Sequence, residues 1–321
     1  MALQSWVNDG VTGVYKNHDL SSKIRMAAIK EAKFMQFVKP EEGYGKKKGE
    51  SVTITRVSNV TVPSDDTLSE LARIPEDTIA LSTQAITVAE RGRAIPYTKL
   101  SVDLGGRRII KKKKMKLKDQ LKLSMDKAAG AKFVAGQILA IPTGISATTF
   151  ETDGSASNAA VSNLNMYHVE SVRDYMYSTL NIAPYSGDDY MCVCVTLAKR
   201  GLLRDPSWID WKKYTDPAAK YNGEIGRIEN IRFIETNNSQ TSGGLRSGVG
   251  TGSVLGEAVF FGADPVVMAV AEDPHLIAEE NVGSDFGRSK SVAWYGIYGF
   301  GQVWSDSANA GEARVVYMTS T

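Results

Sequence analysis

Three histidines, two cysteines and one dense run of lysines are the residues whose types could carry chemistry in this sequence. His18, His168 and His275 lie far apart. They form no His-Glu-x-x-His pair, and no carboxylate cluster stands at metal-ligand spacing. His168 falls beside the apolar stripe of a helix, which points to a packed or surface side chain. Cys192 and Cys194 occupy the run Tyr190-Met-Cys-Val-Cys-Val195. Period 2 places both on one face of a buried strand, as two reduced core thiols. A metal site would need further ligands, and the sequence has no other cysteine. Such thiols suit a reducing cytoplasm. Gly248-Val-Gly-Thr-Gly252 does not follow a strand and open a helix as a dinucleotide loop must. Gly45-Lys46 lacks the spacing and hydroxyl of a phosphate loop. No Gly-x-Ser-x-Gly elbow occurs. The expectation is a protein with no catalytic residue, no cofactor and no metal.

The lysine run has a different meaning. Arg107, Arg108, Lys111, Lys112, Lys113, Lys114, Lys116, Lys118, Lys122 and Lys127 face only Asp119 and Asp126. That is a local charge of +8 in a chain of net +2, so the remainder is acidic on balance. One reading is a solvated helix face. The other is a surface for a polyanion, which gains free energy by counterion release. Four consecutive lysines repel one another and wrap around a helix, which strains the first reading. No aromatic residue interleaves them, so contact would be with phosphate and independent of base sequence. Both readings stand at this point.

The elements that must position these residues follow from periodicity. The 321 residues are 42% hydrophobic and 23% charged, enough to bury a sizeable core. No apolar run is long enough for a membrane helix, and Met1 to Asp9 does not read as a signal peptide. Residues 1–18 read as an extended arm, ordered only against a neighbour. A helix follows from Asp19, with Leu20, Ile24, Ala27 and Ala28 on its stripe, ended by Pro40 at the latest. Val52 and Ile54 alternate with Thr53 and Thr55, and Ile86 and Val88 alternate in Gln84 to Glu90. These two strands flank a polar stretch of about twenty residues, well beyond an ordinary hairpin loop of ~2–5. Such an excursion cannot form a core of its own and must lie on something else. Residues 107–133 form a long helix on Ile110, Leu117, Leu121, Met125 and Ala128.

Residues 143–161 read as a loop. A second helix spans about Asn165 to Leu180. The cysteine strand and a short helix near Thr196–Leu203 follow. Asp205 to Lys220, with Trp208 and Trp211, is an irregular excursion. Glu224 to Glu235 reads as a strand pair or one long strand, and residues 237–256 as a glycine-rich loop. Asp264-Pro265 is expected to open a short helix, Val266 to Ala271. Ser291 to Trp304 and Glu312 to Tyr317 read as two strands joined by a turn. The class is α+β, with no internal repeat.

This order of elements resembles one family. The residues that carry the resemblance are Asp126-Lys-Ala-Ala-Gly-Ala-Lys-Phe133, Tyr221-Asn-Gly-Glu-Ile-Gly-Arg-Ile-Glu-Asn-Ile-Arg-Phe-Ile-Glu235 and Trp294-Tyr-Gly-Ile-Tyr-Gly-Phe-Gly301. Over nearly the whole chain the sequence resembles the major capsid proteins of tailed bacteriophages with the Hong Kong 97-type fold, in the short-tailed phage branch. The resemblance implies an N-terminal arm and helix at 1–40 and an extended loop at 41–98. It implies a peripheral domain with its spine helix and long strands at 99–142 and 261–321. An axial domain would span 143–260, with the loop 237–256 near the capsomer centre. It implies a structural protein, not an enzyme, that self-assembles as pentamers and hexamers into an icosahedral head around double-stranded DNA. Its partners would be further copies of itself, a portal at one vertex and the packaged DNA, with no membrane. A decoration protein on the outside stays open. The sequence begins directly with the arm, so a separate scaffolding protein is expected. The family's long helix lies toward the shell interior. There Arg107, Arg108, Lys111, Lys112, Lys113, Lys114, Lys116 and Lys118 would meet DNA or scaffold. The location implied is the virion capsid, assembled in the bacterial host cytoplasm. An encapsulin-like nanocompartment shell and a sequence-independent DNA-binding protein are the alternatives.

Overall fold

The computed structural model describes residues 32–41, 45, 47, 49–60, 62–65, 67–68, 70, 73–100, 107–209, 224–237, 256–280, 289–304 and 311–320. The expected arm at 1–18, the helix from Asp19, most of the glycine-rich loop and Trp211 lie outside them.

Two sheets and one long helix organise the chain. The four-stranded sheet contains β1 (Val38–Pro40), β11 (Val266–Glu280), β12 (Ser289–Gly301) and β4 (Ala89–Thr98), in that order. The seven-stranded sheet runs β6 (Ala147–Glu151), β5 (Ile138–Gly144), β13 (Val315–Ser320), β10 (Gly256–Phe261), β7 (Tyr190–Val195), β9 (Ile231–Thr236) and β8 (Glu224–Ile228). β2 (Ser51–Val57) and β3 (Leu81–Thr87) pair only with each other, as a ribbon. Helix α1 spans Arg107–Val134. α2 (Met166–Asp174) continues into a π-helical turn, Tyr175–Thr179. α3 is Thr196–Leu203.

Local sequence explains much of this. The Asn165 side chain caps α2 by accepting from the His168 backbone N–H at 3.1 Å. β7 is buried along its whole length, so Cys192 and Cys194 are free thiols in the core, as their spacing predicts. Burial pushes the Cys192 thiol well above its ordinary pKa, which keeps it protonated and inert. Residues 224–236 are a hairpin, one of the two forms the sequence allowed. Its turn holds Glu229 and Asn230, both at positive φ, the geometry of a two-residue primed turn.

Three expectations are corrected. Asp264-Pro265 opens no helix. Asp264 turns at φ 50°, and Val266 begins the 15-residue strand β11. The β-branched run Val266-Val267 pairs with β1, and β11 from Val267 onward pairs with β12; that long-range ladder outweighs a local cap signal. Residues 147–151 are a strand antiparallel to β5, where a loop was expected. The strands near 291–304 and 312–317 do not form a hairpin, because β12 and β13 belong to different sheets.

The main core is built on the large sheet and takes in α2, the π-helical turn, α3, the Phe34–Phe37 turn and the C-terminal end of α1. Phe34, Phe37, Phe133 and Phe261 form an aromatic cluster there, with ring centroids 5.0–5.3 Å apart from Phe34–Phe133 to Phe133–Phe261 and Phe37–Phe261. Buried Asp126 on α1 accepts from the backbone N–H of Phe34 at 2.7 Å and of Met35 at 3.2 Å. That satisfies the start of the short 3-10 turn Phe34–Phe37. Gly130 makes room for the Phe34 ring, which a Cβ there would meet at 3.0 Å.

Candidate nucleic-acid interface

The candidate surface is the N-terminal half of α1. Its position follows from which side of the helix is apolar. Leu117 is fully buried against Val292 and Trp294 of β12, with Ile95, Tyr97 and Leu121 alongside. The Trp294 indole N–H donates to Gln120 Oε1 at 3.3 Å. The helix therefore lies across β12 and β4, and its sheet side is fixed by residues near 113, 117 and 120–121.

This registration divides the lysine run. Lys113 turns toward the sheet and sets its ammonium 5.2 Å from the centre of the Tyr97 ring. Lys112 and Lys116 are half-buried at the flanks, and Lys116 reaches Asp119 at 3.7 Å. Lys111, Lys114, Lys118 and Lys122 are exposed, with Met115 among them. At 100° per residue, Lys111, Lys118 and Lys122 share one narrow arc. At 1.5 Å per residue this stripe is about 16 Å long. The backbone of Arg107 and Arg108 forms the first turn of α1. Their side chains lie outside the described residues.

The electrostatics of this surface oppose the stability of the helix that carries it. No acidic residue occupies the first turn of α1. Cations near a helix N-terminus face the positive end of the macrodipole, and neighbouring lysines repel. The arrangement can neutralise a polyanion along its backbone.

The other residues singled out in the sequence do not converge on this surface. His168 is fully buried beneath β6. Its Nδ1 is 2.8 Å from Thr148 Oγ1, and its Nε2 has no hydrogen-bond partner. Burial pulls its pKa down from 6.5 to about 4, because protonation would place a cation in the core with no acceptor at Nε2. The stabilising form is the neutral one, fully present above pH 6.5. As pH falls from 6.5 to about 4, the unfolded chain binds a proton that the folded chain refuses. Stability should fall over that window by about 2–3 kcal/mol from this group. Urea denaturation of wild type and His168→Asn at pH 7.5 and 4.5 checks this. The variant should lose less stability on acidification, and equal losses would refute the assignment. His275 is exposed, its Nδ1 2.8 Å from the Asp273 carbonyl and its Nε2 3.9 Å from Glu272. His18, Lys46 and Gly248–Gly252 lie outside the described residues. Among the described residues no group of three His, Cys, Asp or Glu could hold a metal ion, and no helix is long and apolar enough to cross a membrane.

The sequence reading missed a buried ionic network. Asp189 accepts from Arg227 Nε and Arg232 Nε, both at 2.7 Å, and Arg232 also reaches Glu224 at 2.8 Å. It ties the start of β7 to the β8–β9 hairpin. Arg227 and Arg232 stand in the quoted resemblance segment, but their partner Asp189 lies about 40 residues away, beyond any local signal.

No protein-family model matches this sequence, and no curated protein does. Solved structures do match its fold. The capsid of Ralstonia phage GP4 superposes with a TM-score of 0.67 at 14% identity, covering 97% of this chain and 96% of that one. The capsid asymmetric unit of cyanophage Pam1 gives 0.67 at 14% identity, over 98% of each chain. The capsid of cyanophage P-SCSP1u gives 0.64 at 12% identity, over 98% of this chain and 96% of that one. The α+β fold of this chain is thus the fold found in phage capsids, as the resemblance in the sequence implied.

Proposed function

We propose that this chain is the major capsid protein of a tailed bacteriophage, a structural subunit without an active site. The observation that carries the reading is the end-to-end fold match: both chains are covered almost entirely, with neither left holding a large unmatched domain. The ribbon β2–β3 supports it. From Val57 to Leu81 the described residues leave Val57, Val60, Val62, Leu68, Ile74, Ile79 and Leu81 exposed. A two-stranded ribbon is marginal alone and is completed by further copies.

In this reading residues 1–40 are the arm and 41–98 the extended loop. Residues 99–142 and 261–321 form the peripheral domain, and 143–260 the axial domain. Copies join as pentamers and hexamers in an icosahedral head that encloses double-stranded DNA. A scaffolding protein guides assembly in the host cytoplasm, and a portal occupies one vertex. The exposed lysines of α1 face the interior. Electron microscopy of the purified protein, alone and with its scaffolding protein, tests this directly. Closed particles are expected, and a protein that stays monomeric in both conditions would overturn the reading.

The lysine surface carries its own test. Changing Lys111, Lys114, Lys118 and Lys122 to Gln should leave particles able to form while weakening DNA retention. If each lysine neutralises one phosphate, the slope of log affinity against log salt should fall by about 3–4. Unchanged assembly, retention and salt slope would return these lysines to a solvated face.

A further inference from the structure

We infer that strand β1 and the β2–β3 ribbon are conformationally coupled through one chain of side chains, Lys39–Asp264–Arg314–Trp304–Arg56, with the turn at Asp264 as the element that switches. The coupling is a property of a single chain. It goes beyond the shell reading and does not depend on it.

The links are contiguous. β1 is three residues long and lies at an edge of the four-stranded sheet. It pairs in parallel with Val266–Met268, and the Glu41 N–H donates to the Met268 carbonyl at 2.8 Å. Lys39 on this strand sets its ammonium 3.0 Å from one carboxylate oxygen of Asp264. The other oxygen lies 3.4 Å from the Arg314 guanidinium, which also donates to the Ala263 carbonyl at 3.4 Å. That guanidinium stands 5.7 Å from the centre of the Trp304 ring. Buried Arg56 of β2 stands 5.6 Å from the same ring and donates to the Ser82 hydroxyl at 3.1 Å. Glu312, two residues before Arg314, accepts from the Asn59 N–H at 2.9 Å. The ribbon is therefore fastened to the segment that Asp264 holds.

Asp264 is poised to move. It sits at φ 50°, in the left-handed region that a residue with a Cβ adopts at a cost. A cation on each carboxylate oxygen helps to keep it there. Both sides of the turn leave room for a second position. A cavity of about 410 Å³ has Phe37, Lys39, Tyr185, Asp264 and Pro265 in its wall. Another, of about 190 Å³, has Asn59, Asn181, Trp304, Glu312 and Arg314 in its wall. Withdrawal of β1 takes Lys39 from Asp264 and uncovers the start of β11. The strained turn then loses part of its support, Arg314 follows it, and the seat shared by Trp304 and Arg56 loosens. Linkage requires the reverse as well: loosening the ribbon must weaken β1 by the same factor.

Hydrogen exchange on the unassembled full chain reads the coupling in both directions. The Lys39 side chain is 64% exposed, so Lys39→Ala spares the fold. It should speed exchange of ribbon amides 51–57 and 81–87 about threefold, the scale of a partly exposed ionic chain, with β7 and β10 unchanged. Arg314→Gln should speed exchange of the Glu41 amide by a similar factor. Asp264→Asn removes the charge and keeps a side chain that tolerates positive φ. In that background Lys39→Ala should add nothing at the ribbon. Ribbon amides that ignore Lys39→Ala, or respond to it equally with Asp264→Asn present, overturn the inference. A Glu41 amide that ignores Arg314→Gln does so too. None of these results touches the shell reading, which particle formation tests separately.

Discussion

Gly299→Val is expected to lift the β2–β3 ribbon off the body while the seven-stranded sheet keeps its fold, and under the proposed capsid function it should also stop assembly. A Cβ at Gly299 would run into the Thr87 carbonyl oxygen and come within 3.1 Å of Val88 Cα. Both are backbone atoms and cannot rotate aside. Two residues on, a Cβ at Gly301 would meet Ile86 Cγ1 at 2.7 Å. These glycines let β3 cross directly over β12, and the crossing seats Ile86 against Val267 and Ala269. Arg56 adds a bond from its guanidinium to the Val303 carbonyl at 2.8 Å. Overpacking at one site costs about 1–3 kcal/mol. Losing the Ile86 contact adds about 1.5–3 kcal/mol. Together these exceed what a two-stranded ribbon can hold by itself. Hydrogen exchange should show protection of residues 51–57 and 81–87 falling by at least tenfold, with β7 and β10 unchanged. Ribbon protection equal to wild type would show that the crossing tolerates a side chain.

Asp189→Asn should cost about 3 kcal/mol, the largest loss expected from any single polar change considered for this chain. The Asp189 side chain is 9% exposed, Arg232 14% and Glu224 2%. Removing the central charge leaves Arg232 largely desolvated beside Arg227, with only Glu224 to balance it. Arg227 is 38% exposed, so solvent softens part of the loss. The melting midpoint should fall by about 4–5 °C. Arg227→Lys should cost less than about 1 kcal/mol, because the cation remains and water reaches it. If Asp189→Asn melts within a degree or two of wild type, the network contributes little to holding the β8–β9 hairpin on β7.

The two effects differ in how visible their causes are in the residue order. The segment Trp294–Gly301 stands out as a pattern, but nothing local says why its glycines are there. Gly296 faces Pro274 of β11, Gly299 faces Thr87 and Gly301 faces Ile86. The reasons lie on two other strands, β11 and β3. The ionic network is similar: its residues are ordinary surface types by composition, and only the ordering β7-β9-β8 makes them buried partners.

The sequence by itself determined the elements whose code is short-range. Helix α1 reads from apolar spacing within a few residues, the cysteine strand from alternation, and the start of α2 near Asn165 from its apolar stripe. It also determined that a ribbon around residues 51–87 lacks apolar mass for a core of its own. Only the tertiary structure decided which lysines point to solvent. Lys113 is spent on Tyr97, while Lys111, Lys114, Lys118 and Lys122 remain outward. It also decided that Asp264-Pro265 precedes a strand and that β12 and β13 enter separate sheets. The physical reason is common to these cases. Local signals bias a segment by about 1 kcal/mol or less at each residue. Pairing and burial against segments tens to hundreds of residues away contribute several kcal/mol per element and override them.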